Sequence, residues 1–356
     1  MKDFLILVIN PGSTTTKIAV YKNEDIIFNS NIRHHKDELR GYTKVTGQYD
    51  FRKKIILQEL QVANIKLTDL DIIMSRGGLL KPLESGVYEI NEALRQDLTI
   101  GRLGDHASNL GGILAYEICN HIPGLKSYIA DPVIVDELQD VARITGWPQI
   151  QRRSVFHALN QKAVARLYSK FLNKKYEDLN LIVAHMGGGI SVGAHCKGKV
   201  IDVNNALDGD GPFSPERSGS LPVGDLVKLC FNGNFTYDQI KKMISSEGGL
   251  VAHFGTTDVL EIEKRTNDQH AKLIIQAMAY QVGKEIGSLA AVLKGKTDAI
   301  IITGGIAKNE TIVNYIKEMI SFIAPIWMYA GETEMEALAL NAMLVLKGEI
   351  TPKKYY

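Results

Sequence analysis

Short apolar runs alternate along the chain with longer stretches whose apolar residues recur at helical spacing. Runs rich in Ile, Val and Leu occupy residues 4–9, 18–21, 71–75, 181–184, 191–194, 200–203 and 299–303, mostly bounded by Gly, Asn or Pro. That pattern predicts strands. Periodic apolar positions over 107–121, 154–171, 269–293, 310–322 and 333–346 predict helices. Strands alternating with helices of this length give an α/β fold class.

One unit of the pattern occurs twice. Residues 5–21 read as an apolar strand, then Asn10-Pro11-Gly12-Ser13-Thr14-Thr15-Thr16-Lys17, then a second strand. Residues 181–195 read as an apolar strand, then His185-Met186-Gly187-Gly188-Gly189, then a second strand, followed by Lys197-Gly198-Lys199 and a third. Aligning Gly12 with Gly187 superposes the two units and implies two similar domains; two unrelated Gly-turn hairpins are the competing account. The turn-prone Thr145-Gly146-Trp147-Pro148 is the one plausible boundary. The expected domains are 1–150 and 151–335, with 336–356 a C-terminal helix and tail packing back on the first.

Composition narrows the class. A chain of 356 residues exceeds the size at which one core stops growing, in keeping with two domains. Its 41 Lys and Arg nearly cancel 40 Asp and Glu, which argues against nucleic-acid or membrane-surface partners. Cys119, Cys196 and Cys230 lie far apart without metal-type spacing, as suits a reducing cytoplasm. The run 4–9 is too short for a signal segment or a membrane span. Most of the 32 glycines beyond the usual share fall in a few clusters, and these carry the candidate chemistry.

In the Gly-Ser-Thr-Thr-Thr-Lys hairpin, Gly12 lets the backbone approach a ligand while N–H groups and the Ser13 and Thr14 hydroxyls converge on one point. Lys17 adds positive charge and Asn10 an amide at the strand mouth. This reads as a phosphate cradle without the Walker spacing. An ordinary Ser/Thr-rich hairpin is the bland alternative, weakened by the matching Gly187-Gly188-Gly189 turn. A third site, Thr303-Gly304-Gly305-Ile306-Ala307-Lys308-Asn309, follows a strand and opens a helix. There Gly305 permits approach to a flat ring or sugar, and the helix N-terminus favours anionic groups. A plain strand-to-helix turn competes with that reading.

These three sites, in this order, resemble the superfamily of actin, sugar kinases and heat-shock ATPases. Arg76-Gly-Gly, Asp105-His-Ala-Ser-Asn, Asp131-Pro-Val-Ile-Val-Asp-Glu, Phe156-His-Ala-Leu-Asn and the long block 202–219 sharpen the match. Together they resemble the butyrate kinase branch of the acetate kinase family over nearly the whole chain. The resemblance implies two actin-like (ribonuclease H-like) domains with a nucleotide-binding cleft between them. It also implies a homo-oligomer and direct transfer of the γ-phosphoryl of ATP, with Mg²⁺, to a short-chain fatty acid, giving an acyl phosphate and ADP. Arg217 and His157 match the family's groups flanking the phosphoryl. Asp131 matches its essential aspartate, and Asn10 and a C-terminal glutamate its metal side. Lys17, His185 and Gly187 to Gly189 would touch phosphates, and Gly304, Gly305, Ile306 and Asn309 the adenosine. Arg76 and His106 join the catalytic set, and Phe156 with Arg76 would bind the acid.

Structural duties compete with each role: a surface ion pair for Arg217, a first-turn histidine for His157, backbone bonding for His185, capping for His106, a turn for Asp131. His34 and His35 carry no expected function. Thr333-Glu334-Met335-Glu336 fits a capping box that occupies Glu336, leaving Glu334 for the metal side. Two departures stand out. The family's carboxylate-binding arginine falls at Ile73, with Arg76 in another register, and Ser75 and Asp105 replace aliphatic residues of the acetate methyl pocket. The acyl pocket is therefore expected to be rebuilt for a longer acid. An acetate or propionate kinase is the enzyme alternative. From another class comes an ATP-switched chaperone or filament protein, which needs a partner-binding segment that the sequence does not offer.

Overall fold

The computed structural model describes residues 3–101, 104–265, 268–331 and 334–356. Eleven strands form two sheets. The first holds β1 (Leu5–Pro11), β2 (Thr15–Lys22), β3 (Asp25–Arg33), β4 (Ile72–Arg76), β5 (Val87–Glu89) and β6 (Lys126–Ala130), in the order β3-β2-β1-β4-β6-β5. The second holds β7 (Asn180–Met186), β8 (Ile190–Cys196), β9 (Lys199–Val203), β10 (Ala299–Gly304) and β11 (Ile326–Ala330), in the order β11-β10-β7-β8-β9. In each sheet an antiparallel three-strand meander continues into two parallel strands beside its first member. The sheets share one topology, apart from the short antiparallel β5, so the duplicated pattern is a duplicated fold.

The principal helices are α1 (Tyr49–Val62), α2 (Glu92–Ile100), α3 (Asn109–Cys119), α4 (Ala158–Phe171), α5 (Gln269–Val292), α6 (Glu310–Ile320) and α7 (Glu334–Leu346). The chain divides into two compact units, Met1–Val135 with Thr333–Tyr356, and Asp136–Glu332. In the first, α3 and α7 pack on β1 and β4. In the second, helices cover both faces of the sheet. Ile182, Ala184, Ile300 and Ile302 point to one face, against Met278, Val282 and Ile286 of α5 and Ile312 and Ile316 of α6. Their neighbours Leu181, Val183, Ala299 and Ile301 point to the other, against Val164 and Tyr168 of α4. Successive strand residues face opposite ways, so a sheet covered on both sides needs unbroken apolar runs. Each such Ile or Leu contributes about 1.5–3 kcal/mol of burial. Among the described residues no helix is long and apolar enough to cross a membrane.

Candidate active site

In open α/β sheets, ligands gather at the carboxyl ends of parallel strands, and the candidate residues of the first unit are found there. Asn10 lies near the end of β1, Arg76 ends β4, and Asp131 follows β6. Asn10 Nδ2 donates to Glu334 Oε2 at 2.7 Å, and Arg76 Nη1 reaches the same oxygen at 3.4 Å. Of the two C-terminal glutamates, Glu334 is buried and meets both, while Glu336 is exposed. Thr333, the expected cap, lies outside the described residues. Asp131 is buried in a left-handed conformation, φ 36°, with Oδ1 accepting from Ser85 Oγ at 2.5 Å and Gly86 N–H at 2.9 Å. An aspartate pinned in that sparsely populated region marks a position whose geometry is over-determined.

The turn between β1 and β2 is built from behind by Arg52, which the sequence reading did not single out. Its guanidinium is fully buried and donates to the carbonyls of Gly12 (2.8 Å), Thr15 (2.9 Å) and Ser13 (2.7 Å), to Thr16 Oγ1 (3.1 Å) and to Gln48 Oε1. Burial lowers its pKa to about 10. With these carbonyls drawn backward onto one cation, the Ser13 and Thr14 side chains stand exposed on the hairpin tip, and Lys17 sits opposite Asn10 across the β1–β2 ladder. His34 completes the support: its Nε2 is 2.8 Å from Thr16 Oγ1, its ring packs edge-on to Phe51, and burial then Arg52 hold its pKa down to about 4.

In the second unit the turn at Gly187 to Gly189 occupies the same place between β7 and β8. The block 202–219 folds over it. Asn204 accepts from Val192 N–H and donates to the Ile190 and Asp210 carbonyls, while Ser214 Oγ donates to Gly188 O at 2.6 Å. Arg217 is thereby laid against Gly189, where a Cβ would push the guanidinium aside, with Nη1 donating to Ala206 O at 2.6 Å. Beside the turn, the rings of His157 and His185 stack, centroids 3.9 Å apart. His157 stands at the N-cap of α4 with Nδ1 2.8 Å from Ser191 Oγ, and the buried His185 has Nδ1 2.8 Å from Asn160 Oδ1. Phe156 is buried in the core. The unit therefore gathers Arg217, His157 and His185 around one glycine turn.

The third glycine site lies where β10 ends. Gly304 (φ 95°) turns against the Met186 carbonyl, leaving no room for a side chain, while Gly305 faces open space. Asn309 caps α6, its Oδ1 accepting from Ile312 N–H at 2.9 Å, and Ile306 is buried. Further along α6, Thr311 and Tyr315 line a cavity of about 530 Å³ together with Arg265, Lys272, Ile275 and Gln276. The sequence reading missed this cavity because its walls come from separate helices.

Asp105 and His106 prove to be organisers of the first unit. The Asp105 carboxylate accepts from Val45 N–H (2.6 Å) and Thr46 N–H (3.1 Å), which accounts for an acid where an aliphatic residue was expected. His106 Nδ1 accepts from Ser108 N–H at 3.2 Å, and Ser75 is buried within β4. No group of three or more His, Cys, Asp or Glu that could hold a metal occurs among the described residues. Asn10 and Glu334 offer one amide and one carboxylate, a donor set that suits Mg²⁺, which keeps several waters and phosphate oxygens.

Residues 147–326 match the acetokinase family. Butyrate kinase 2 of Clostridium acetobutylicum is 54% identical over 354 residues, 99% of each chain, and butyrate kinase 1 of the same organism is 52% identical over the same span. Among solved structures, Porphyromonas gingivalis acetate kinase matches with TM-score 0.79 at 19% identity, over 96% of this chain and 100% of that one. A propionate kinase from Francisella tularensis matches with TM-score 0.76 at 20% identity, over 94% and 98%.

Proposed function

The chain belongs to the acetokinase family, and from that membership we propose that it transfers the terminal phosphoryl group of ATP to the carboxylate of butyrate, reversibly giving butyryl phosphate and ADP. The observation that carries this reading is identity above half, end to end, with two butyrate kinases. The site geometry supplies the parts the chemistry needs. In the transition state charge spreads over the phosphoryl oxygens, and catalysis consists of positioning and electrostatic stabilisation. Arg217, held against Gly189, supplies a fork of donors, and His157, stacked on His185, supplies an imidazole. Arg76 orients the attacking carboxylate, Phe156 contacts the acyl chain, and His106 and Asp131 complete the catalytic set. The hairpins at Gly12 and Gly187, with Ser13, Thr14, Lys17, His185, Gly188 and Gly189, hold nucleotide phosphates. Gly304, Gly305, Ile306 and Asn309 take the adenosine. Asn10 and Glu334 hold Mg²⁺, which when bound shields the charge of the phosphates.

We place the enzyme in the cytoplasm, which supplies ATP and suits its widely spaced cysteines. Self-association fits the helix Val223–Phe231, whose Val223, Val227 and Phe231 recur every fourth residue and are exposed. The test is a hydroxylamine trap for acyl phosphate with ATP, Mg²⁺ and straight and branched acids of two to five carbons. Hydroxamate is expected with butyrate; activity confined to sugars or glycerol would exclude the reading.

A further inference from the structure

Behind His157 runs a chain of hydrogen bonds whose direction follows from the chemistry of its members. Gln161, one turn along α4, places Nε2 3.0 Å from the Ser191 carbonyl oxygen and 2.8 Å from Ser191 Oγ. A carbonyl oxygen only accepts, so the Gln161 amide presents its N–H groups to Ser191. Its Oε1 therefore faces His195, whose Nε2 lies 3.0 Å away and must carry the ring hydrogen. His195 Nδ1, 2.6 Å from Tyr176 Oη, then accepts from the tyrosine hydroxyl. Gln161, Ser191 and His195 are fully buried, Tyr176 nearly so, and burial holds the His195 pKa well below its usual value. The ring is neutral and the tautomer consistent.

At the other end, Ser191 Oγ takes a hydrogen from Gln161 and lies 3.4 Å from the His157 N–H. Its own hydrogen is left to point at His157 Nδ1, 2.8 Å away. A charged His157 would need Ser191 to accept a further hydrogen and find another outlet for its own. The orientation thus favours the neutral ring with its hydrogen on Nε2.

We propose that Ser191, Gln161 and His195 are positioning residues that fix His157 as the uncharged Nε2–H tautomer, a hydrogen-bond donor to the phosphoryl group in transit. This rests on the reading that His157 serves phosphoryl transfer, and it divides the labour there: Arg217 brings the charge and His157 a directed neutral donor. A duty in strand packing alone would set no tautomer, which makes the ring itself the readout.

The experiment is a long-range ¹H–¹⁵N spectrum of the full chain labelled at histidine, near neutral pH, with His157→Asn identifying the His157 signals. The wild-type ring is expected to be protonated at Nε2 only. Ser191→Ala removes the hydroxyl that donates to Nδ1. Gln161→Glu offers a carboxylate that takes the Ser191 hydrogen, so that Oγ accepts from Nδ1. Both should move the ring hydrogen toward Nδ1 or charge the ring. Partners that orient a working histidine typically contribute 10–100-fold, so kcat should fall by about that factor with the KM for ATP little changed. Ser191→Thr keeps a hydroxyl and should restore both tautomer and kcat. Tyr176→Phe should retain the wild-type tautomer, because the Ser191 carbonyl still orients Gln161. A wild-type ring protonated at Nδ1, or a Ser191→Ala enzyme with unchanged tautomer and kcat, would overturn the inference. The spectrum needs no turnover: an Nε2–H ring in a protein that makes no hydroxamate would sink the kinase reading and leave the tautomer assignment standing.

Discussion

Arg217 donates to the Ala206 carbonyl and lies against Gly189, so its guanidinium is in place before any phosphate arrives. A preorganised donor of this kind acts mainly on the transition state. Arg217→Ala should therefore lower kcat by about 10²–10³, with the ATP dissociation constant nearly intact and only partial rescue by Lys, which lacks the fork. Wild-type kcat with weakened ATP binding would instead make Arg217 a ground-state ligand. Arg52 tests the opposite case, a charge that touches no reacting group. Removing it orphans the Gly12 and Ser13 carbonyls, while that of Thr15 keeps the Gly12 N–H; each orphaned group is a loss of about 1–3 kcal/mol where water cannot replace the cation. Arg52→Met should lower the urea midpoint substantially and raise the KM for ATP through a slack hairpin. An unaltered melting curve would show that the carbonyls find other partners. Nothing local marks Arg52 in the sequence: an arginine in an amphipathic helix reads as solvent-facing, since unpaired arginines are seldom fully buried.

At the scale of elements, legibility followed burial. The strands read from the sequence, such as β1, β7 and β10, are buried along nearly their whole length and carry unbroken runs of four or more apolar residues. Those missed carry mixed signals. β3 is an edge strand alternating exposed and half-buried residues, β6 opens Lys-Ser-Tyr, and β11 is half-exposed along most of its length. The long helix α5 was visible almost to its ends because its apolar periodicity is sustained and Asp268 caps it. The 202–219 block was legible as a motif but not as a device, because its work is done by hydrogen bonds to a turn distant in sequence. α5 also carries a titration the pattern could not show. Glu285 is pushed up to about 7, by burial first and then by Asp210 and Asp202, with Arg152 opposing. The folded state therefore holds a proton that the unfolded chain releases near pH 4.5. This contribution to stability is full below pH 4.5 and is lost as pH rises to about 7. Glu285→Gln, which cannot ionise, should match wild type near pH 4 and exceed its urea stability at pH 8 by on the order of 3 kcal/mol. Parallel pH profiles for the two proteins would place the carboxylate in solvent.

At the scale of the whole molecule, two kinds of likeness answer different questions. The shared topology of the sheets and the TM-scores of 0.79 and 0.76 at 19 and 20% identity establish the architecture. They leave the acid open, because one fold hosts many substrates. Identity of 54 and 52% extends across 99% of both chains, and both of those relatives are butyrate kinases. Chain length is where the two likenesses part. Butyrate exceeds acetate by two methylenes, and each fully enclosed CH₂ is worth ~0.8 kcal/mol. If both are enclosed in the transition state, kcat/KM for butyrate should exceed that for acetate by about tenfold. A discrimination that size is typical of an apolar pocket, which rejects a shorter substrate only by forgoing its contacts. Propionate should then fall between the two, and the spacing along the series reports how far the pocket reaches. Initial rates of hydroxamate formation against acid concentration, at saturating ATP, decide the matter. Equal or greater efficiency with acetate would mean that the replacements at Ser75 and Asp105 serve the sheet and the Val45–Thr46 turn alone, and would make acetate the substrate.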